Sequence, residues 1–312
     1  MTKKKNFNLA IVGLGNIGLN LYKHLLKYKK SIVEKNNINF DIKYVSAKNK
    51  KKKRGISIPK KKWLRNYLDA SKLDDIDIVI ELIGGADGPA KKLVFDSIRR
   101  KKHVVTANKS LISKYGDQLA LLAERNKVNI EFEAAVAGGI PIIRTLKEGF
   151  VANKTKKIYG ILNGTSNFIL SNMDKMNISF NKVLNKAKKL GYAESNPKSD
   201  LNGDDVRSKV QILSSLAFNC FINKNNINQE GINFIDETDI KNANILGYKI
   251  KHIGLSEISE GKLIQRVNPC LIKKGSRLGN VNGVLNAVII EGEPIGKSVL
   301  QGEGAGAGPT TS

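Results

Sequence analysis

The residues with the clearest chemical potential lie at 191–209, where Glu194, Asp200, Asp204, Asp205 and Lys209 crowd into a chain that is otherwise strongly basic. The segment reads GYAESNPKSDLNGDDVRSK, and Pro197 with the polar run behind it forbids a continuous helix at its start. From Asp204 the pattern is that of a helix, with acid in the first turn and an apolar stripe of Val206, Val210, Leu213 and Leu216. Asp205 and Lys209 are four residues apart and share a face of that helix. An amine held beside carboxylates can give a proton to an oxygen. A solvated helix start with an ordinary ion pair has the same spacing, and the stretch taken alone favours that plainer account.

A second group of residues suits phosphate. Residues 7–12, FNLAIV, form a short β-rich run, Gly13, Gly15 and Gly18 follow at G-x-G-x-x-G spacing, and 19–26 continue at helical period. The first glycine permits a tight turn, the second lets a pyrophosphate approach the backbone, and the third lets helix and strand pack closely. N–H groups at the helix start, around Leu14, Asn16 and Ile17, face such a ligand. The next strand, 41–46, ends in a basic run holding Lys48, Lys50, Lys51, Lys52, Lys53 and Arg54. An NAD-preferring site places an acid there. The basic run instead attracts a 2′-phosphate, so NADP(H) is favoured over NAD(H), although a merely basic loop has the same composition.

The remaining elements position these groups. Residues 77–82 read as a buried strand turning at Ile83, Gly84 and Gly85, followed by a helix at 89–101 and a strand at 103–106. Asn108 can cap the helix after it, which puts Lys109 at the carboxyl edge of a parallel sheet, where such sheets bind ligands. A helix at 118–126 and a strand at 128–132 complete an α/β pattern, that of a doubly wound parallel sheet. EAAVAGGIPIIRTL, from Glu133, is small and glycine-rich before a helix near Pro141, and its carbonyls beside Glu133 could hold a hard cation. Beyond residue 150 the pattern changes to a strand at 156–163, a helix capped by Gly164, Thr165 and Ser166, and a helix at 180–190. The helix begun at Asp204 and short β-rich runs over 248–300 complete it, as in an α+β domain with a mostly antiparallel sheet. Two domains are therefore expected, 1–150 and 151–312. The three histidines, His24, His103 and His252, fall in unrelated contexts and read as structural.

The 312 residues carry a net charge of +25, which admits nucleic acid, an anionic membrane or an anionic cofactor as partner. Only nine of the 53 basic residues are Arg, and Lys, Asn and Ile recur throughout, so most of the charge reads as compositional drift on solvated faces. The basic loop has no interleaved aromatics for stacking bases, and no nucleic-acid partner is expected. No segment reaches the ~18 apolar residues that span a bilayer. The basic, then apolar, opening lacks a cleavage site and breaks at Asn16, so the expected location is cytoplasmic. Cys220 and Cys270 have no metal or redox spacing.

In order along the chain, GLGNIG (13–18), ELIGG (81–85), VVTANK (104–109), EAAVAGGIPII (133–143), GILNGTSNF (160–168), GYAE (191–194), DLNGDD (200–205) with Lys209, RVNPCLI, NVNGVLNAV and GEGAGAG resemble the homoserine dehydrogenase family. The resemblance covers nearly the whole chain. It implies an N-terminal Rossmann domain and a C-terminal catalytic, dimerising α+β domain. The implied reaction is reversible NAD(P)H-dependent reduction of L-aspartate 4-semialdehyde to L-homoserine, on the way to threonine, methionine and isoleucine, by a homodimer. By the same resemblance Lys209 donates the proton and Lys109 lies near nicotinamide and substrate. Asp205 and Glu194 bind the substrate amino end, Gly191 adds a backbone contact and Asp200 is a further active-site acid. Gly308 touches the cofactor, and Glu133 with the carbonyls of Val136, Gly138 and Ile140 holds a structural sodium. The family continues past the position of Ser312 through a helix that packs back on the Rossmann domain. No ACT or aspartate kinase segment is read here, so no threonine feedback through such a module is expected. The competing readings are an oxidoreductase for another semialdehyde, and a homologue without catalysis that binds nucleotide or nucleic acid. Retention of both lysines with their acids disfavours the second.

Overall fold

The computed structural model describes residues 5–222 and 227–312; the basic tip of the opening run, residues 1–4, lies outside the described residues. The chain forms two compact units, residues 1–135 with 306–312, and residues 136–305.

The first unit holds strands β1 (Lys5–Val12), β2 (Ile38–Ser46), β3 (Ile78–Glu81), β4 (His103–Thr106) and β5 (Ile130–Glu131). Its helices begin with α1 (Asn16–Asn36), α2 (Asp69–Lys72), α3 (Pro89–Arg99) and α4 (Lys109–Asn126). The strands make one parallel sheet in the order β2-β1-β3-β4-β5. The order reverses beside β1, which is where open sheets of this kind bind ligands, at the carboxyl ends of the strands. Leu9–Val12 are all buried, as expected of a strand covered on both faces. α1 runs ten residues beyond the stretch of clear periodicity, because Ile32 and Val33 within its lysine-rich tail still pack on the core. α4 starts at Lys109 instead of near 118: Leu111 and Ile112 are buried in its first turns, and Gly116, which hides the pattern in the sequence, is tolerated.

The second unit contains α5 (Ile142–Arg144), β6 (Lys154–Ile161), α6 (Gly164–Met176), α7 (Phe180–Lys189), α8 (Lys198–Leu201), α9 (Asp204–Phe218), β7 (Asn228–Gln229), α10 (Glu237–Ile245), β8 (Tyr248–Ser259), β9 (Lys262–Lys273), β10 (Leu285–Glu293) and β11 (Gly296–Glu303). Its sheet has the order β11-β10-β6-β8-β9-β7, antiparallel except where β7 joins β9. The short β-rich runs expected over 248–300 merge into four long strands. Glu260 and Gly261 both take positive φ, which makes the tight β8–β9 hairpin. Gly254 of β8 lets α9 lie close: a Cβ there would stand 2.6 Å from Val210 and 2.8 Å from Val206. α6 is capped by Asn163, whose Oδ1 accepts from Ser166 N at 2.7 Å, whereas Gly164, Thr165 and Ser166 form the first turn and not the cap. A final helix, α11 (Ala307–Thr311), belongs to the first unit, where Asn20 of α1 donates to Ala307 O and to Thr311 Oγ1.

Candidate functional site

In the second unit the acid–amine pair of α9 is not a solvated helix start. Lys209 and Asp205 have only 8% and 3% of their side chains exposed. Lys209 Nζ donates to Asp205 Oδ2 at 2.7 Å and to the carbonyl of Leu162, just past β6, at 2.6 Å. Burying both charges is unfavourable unless each is paired and hydrogen-bonded, which this geometry provides. Asn163 donates from Nδ2 to Asp205 Oδ2 and to Asp200 Oδ1 of α8, both at 2.8 Å. Thr165 donates to the carbonyl of Tyr192, tying the start of α6 to the 191–194 segment. That segment is more open: Glu194 is exposed, and Gly191 turns the chain at φ +78°. Asp204 lies outside the cluster and accepts from Gln229. The unit therefore brings Asp200, Asp205 and Lys209 together, with Asn163 and Leu162 as members that the sequence reading did not single out.

Two buried bases lie deeper. His252 of β8 is 1% exposed, and its Nε2 lies 3.0 Å from the carbonyl of Glu230. Burial holds this imidazole below its usual range, against the opposing influence of that carbonyl and of the Asp205 charge. Lys251, beside it, is also 1% exposed and lies within 3.2 Å of Asn167 Oδ1, Ser171 Oγ, Val281 O and Asn282 Oδ1. Burial, with Lys249 adding to it, pulls the Lys251 amine down to about 8 against the charge of Asp174. Asn167 also donates to Val281 O and Leu285 O, so Lys251 and Asn167 together anchor α6 to the 281–285 loop.

The first unit forms its cradle mainly from backbone. Gly13 has φ +111°, and a Cβ there would lie 2.3 Å from Leu82 O; at Gly18 it would lie 2.2 Å from Gly13 O. At Gly15 nothing lies within 4 Å, so that glycine leaves open space beside the start of α1. No side chain caps this helix, and the N–H groups of its first turn are the donors available to an anion. The loops beside it are fixed by Glu81, fully buried, which accepts from Ile83 N and Gly84 N through Oε1 and from Thr106 Oγ1 through Oε2. Asn108 completes the network: its amide donates to Gly85 O, its side-chain oxygen caps α4, and Lys109 follows as the first residue of that helix. Glu81 was not singled out in the sequence; an acid inside the apolar run DIVIEL (77–82) is the signal that marks it. Gly308 is exposed in α11, with nothing near its missing Cβ.

The basic loop divides into two roles. Arg54 donates to the carbonyls of Leu14, Asn49, Lys50 and Lys52 and lies over the Trp63 ring, so it organises the loop. Lys48, Lys51, Lys52 and Lys53 are exposed. In the glycine-rich stretch, Ala137 and Gly138 take positive φ, and Ile140 O accepts from Ile142 N at 2.7 Å. The boundary between the units falls inside the expected cation set, between Glu133 on one side and Val136, Gly138 and Ile140 on the other.

Two family models match the chain. The homoserine dehydrogenase NAD-binding domain matches residues 13–133, and homoserine dehydrogenase matches residues 141–312. A homoserine dehydrogenase of Neisseria gonorrhoeae is 41% identical over 308 residues, which cover 99% of this chain and 70% of that protein. One from Bacillus subtilis is 38% identical over 308 residues, covering 99% of this chain and 71% of that one. The crystal structure of a homoserine dehydrogenase from Thiobacillus denitrificans, 38% identical, superposes with a TM-score of 0.95 and covers 100% of this chain and 72% of that one.

Proposed function

This chain belongs to the homoserine dehydrogenase family, and we propose that it catalyses the reversible NAD(P)H-dependent reduction of L-aspartate 4-semialdehyde to L-homoserine. The observation that carries the proposal is the buried Lys209–Asp205 pair at 2.7 Å with the Leu162 carbonyl behind it. An ammonium so fixed is a proton donor of defined direction.

The chain's own residues divide the work. The aldehyde substrate has an ammonium, a carboxylate and a carbonyl. Glu194, Asp200 and Asp205 suit the ammonium, and the 191–194 segment adds backbone at Gly191. The nicotinamide nucleotide, when bound, supplies the hydride. Lys209 gives its Nζ proton to the carbonyl oxygen and recovers it in the reverse direction, while Asp205 stabilises the ammonium form. Lys109 is assigned to the nicotinamide and substrate. Holding both reactants in place supplies much of the rate.

The cradle fits a dinucleotide, since the space over Gly15 is open and the uncapped start of α1 offers N–H donors. Gly13, Leu14, Gly15, Asn16, Ile17 and Gly18 would hold the pyrophosphate, with Ile83, Gly84, Lys109 and Gly308 as further contacts. The exposed lysines after β2, among them Lys48, support a preference for NADP(H). Sodium is proposed on donor chemistry alone, since Glu133 and the carbonyls of Val136, Gly138 and Ile140 are hard oxygen ligands. A homodimer built through the C-terminal domain and a cytoplasmic location complete the reading. The test is NADPH oxidation followed with L-aspartate 4-semialdehyde against other aldehydes. Turnover restricted to this substrate is expected, and equal turnover of unrelated aldehydes would refute the assignment.

A further inference from the structure

Asn163 does more than cap a helix. A cap needs one acceptor, which Ser, Thr or Asp supplies as well as Asn. Here Oδ1 meets that need at Ser166 N, and the other end of the amide makes two further bonds. Nδ2 donates at 2.8 Å to Asp200 Oδ1 on α8 and at 2.8 Å to Asp205 Oδ2 on α9. The backbone N–H at Ser166 fixes which end is oxygen, since the flipped amide would set an oxygen against two carboxylates and an NH2 against an N–H. Asn163 is 4% exposed. A donor shared by two neighbouring acids offsets their repulsion. The oxygen it holds on Asp205 is the one that accepts from Lys209 Nζ.

We propose that Asn163 is a positioning residue for the reaction, a clamp that keeps Asp200 and Asp205 ionised side by side and so aims the Lys209 ammonium. The clamp rests on the reaction assigned above and adds to it the residue that orients the proton donor. Asp205 on its own helix pairs with the ammonium, Asp200 on α8 joins Asp205 through the Asn163 amide, and His252 on β8 is electrostatically linked to Asp205. A donor to an ionised carboxylate lowers its pKa, so removing the donor raises it. Neither of the other common caps does both jobs: Ser is too short to bridge the acids, and Asp would add a third negative charge.

The test uses Asn163→Ser, which keeps a capping oxygen, and Asn163→Asp, which keeps the cap and the length but loses the donor. NADPH affinity and melting temperature report on the fold. In Asn163→Ser NADPH affinity is expected to stay near wild type and the melting temperature to fall by only a few degrees, for the two lost bonds to carboxylates, while kcat falls roughly 10- to 100-fold, the scale of a misplaced reacting group. The acidic limb of the kcat–pH profile moves to higher pH, a change that a cap alone does not produce. In Asn163→Asp, kcat falls further. Carboxyl titration followed by 13C NMR needs no substrate, and Asp200 and Asp205 are expected to titrate at higher pH in Asn163→Ser. Unchanged carboxyl titration, or an unchanged pH profile with near-normal kcat, overturns the clamp. Shifted carboxyl titrations in a protein that does not reduce aspartate 4-semialdehyde would uphold the clamp and reject the assigned reaction.

Discussion

The glycine turn of the first unit and the acid–amine cluster of the second are built in opposite ways. The turn is six consecutive residues, 13–18, whose function lies in what they lack: two missing Cβ atoms admit backbone, and a third leaves space. The cluster is the side chains of Asn163, Asp200, Asp205 and Lys209 with the backbone carbonyl of Leu162, brought together by the end of β6 and two helix starts. A phosphate cradle can be local because backbone N–H groups are present in every sequence. A directed proton donor needs opposite charges fixed out of water, and no short segment supplies the walls for that.

Two glycine substitutions should separate the parts of the cradle most sharply. Gly18→Ala places a methyl group 2.2 Å from Gly13 O, and the expected loss is stability of the first unit as well as cofactor binding, at a cost on the order of 2 kcal/mol or more. Gly15→Ala meets nothing within 4 Å, so its melting temperature should match wild type while NADPH affinity falls roughly tenfold or more. Calorimetry with and without NADPH checks both. Equal loss of stability in the two variants would mean that the space over Gly15 is not reserved for a ligand.

A smaller effect is expected at the loop after β2. Replacing Lys51, Lys52 and Lys53 by Ala should lower the preference for NADPH over NADH by roughly tenfold at low salt, since exposed charge pairs contribute up to about 1 kcal/mol each and are screened. Arg54→Ala should act through loop order instead, weakening both nucleotides because its donors already serve four backbone carbonyls. Titrations of each cofactor at two ionic strengths separate the cases, and an unchanged ratio in the lysine variant would remove the 2′-phosphate reading.

The effect at Lys251 is on pH dependence. Its pKa falls from the ordinary 10.5 to about 8 in the folded chain. Between those values the unfolded chain holds the extra proton, so stability rises with pH across that window, by up to roughly 3 kcal/mol, and the contribution is flat below it. Urea unfolding across the window should show this slope in wild type and lose it in Lys251→Met. A parallel slope in the two proteins would show that the buried amine is not its source.

How much could be read from residues alone follows the same division. β1, the glycine turn and the start of α1 were legible because the signal is contiguous, and Asn108 as a cap was legible because its helix follows at once. In the second unit the i,i+4 spacing of Asp205 and Lys209 was visible, but taken alone it favoured a solvated pair. Burial decided between them, and burial comes from α9 lying on Gly254 of β8, forty-five residues after Lys209. Asn163 was hidden for a related reason: as the last polar residue of KKIYGILN it reads as a strand end, and its two acids lie 37 and 42 residues away. Lys251 and His252 gave no signal, because a lysine and a histidine inside a β-rich run are buried only when helices cover that face.

The most direct measurement is turnover of L-aspartate 4-semialdehyde by Lys209→Ala beside its affinity for NADPH. A general acid contributes roughly 10²- to 10⁴-fold, so kcat should fall by that range while NADPH binding, carried by the other unit, stays as in wild type. A variant that keeps near-normal kcat would contradict the assignment of Lys209 as proton donor.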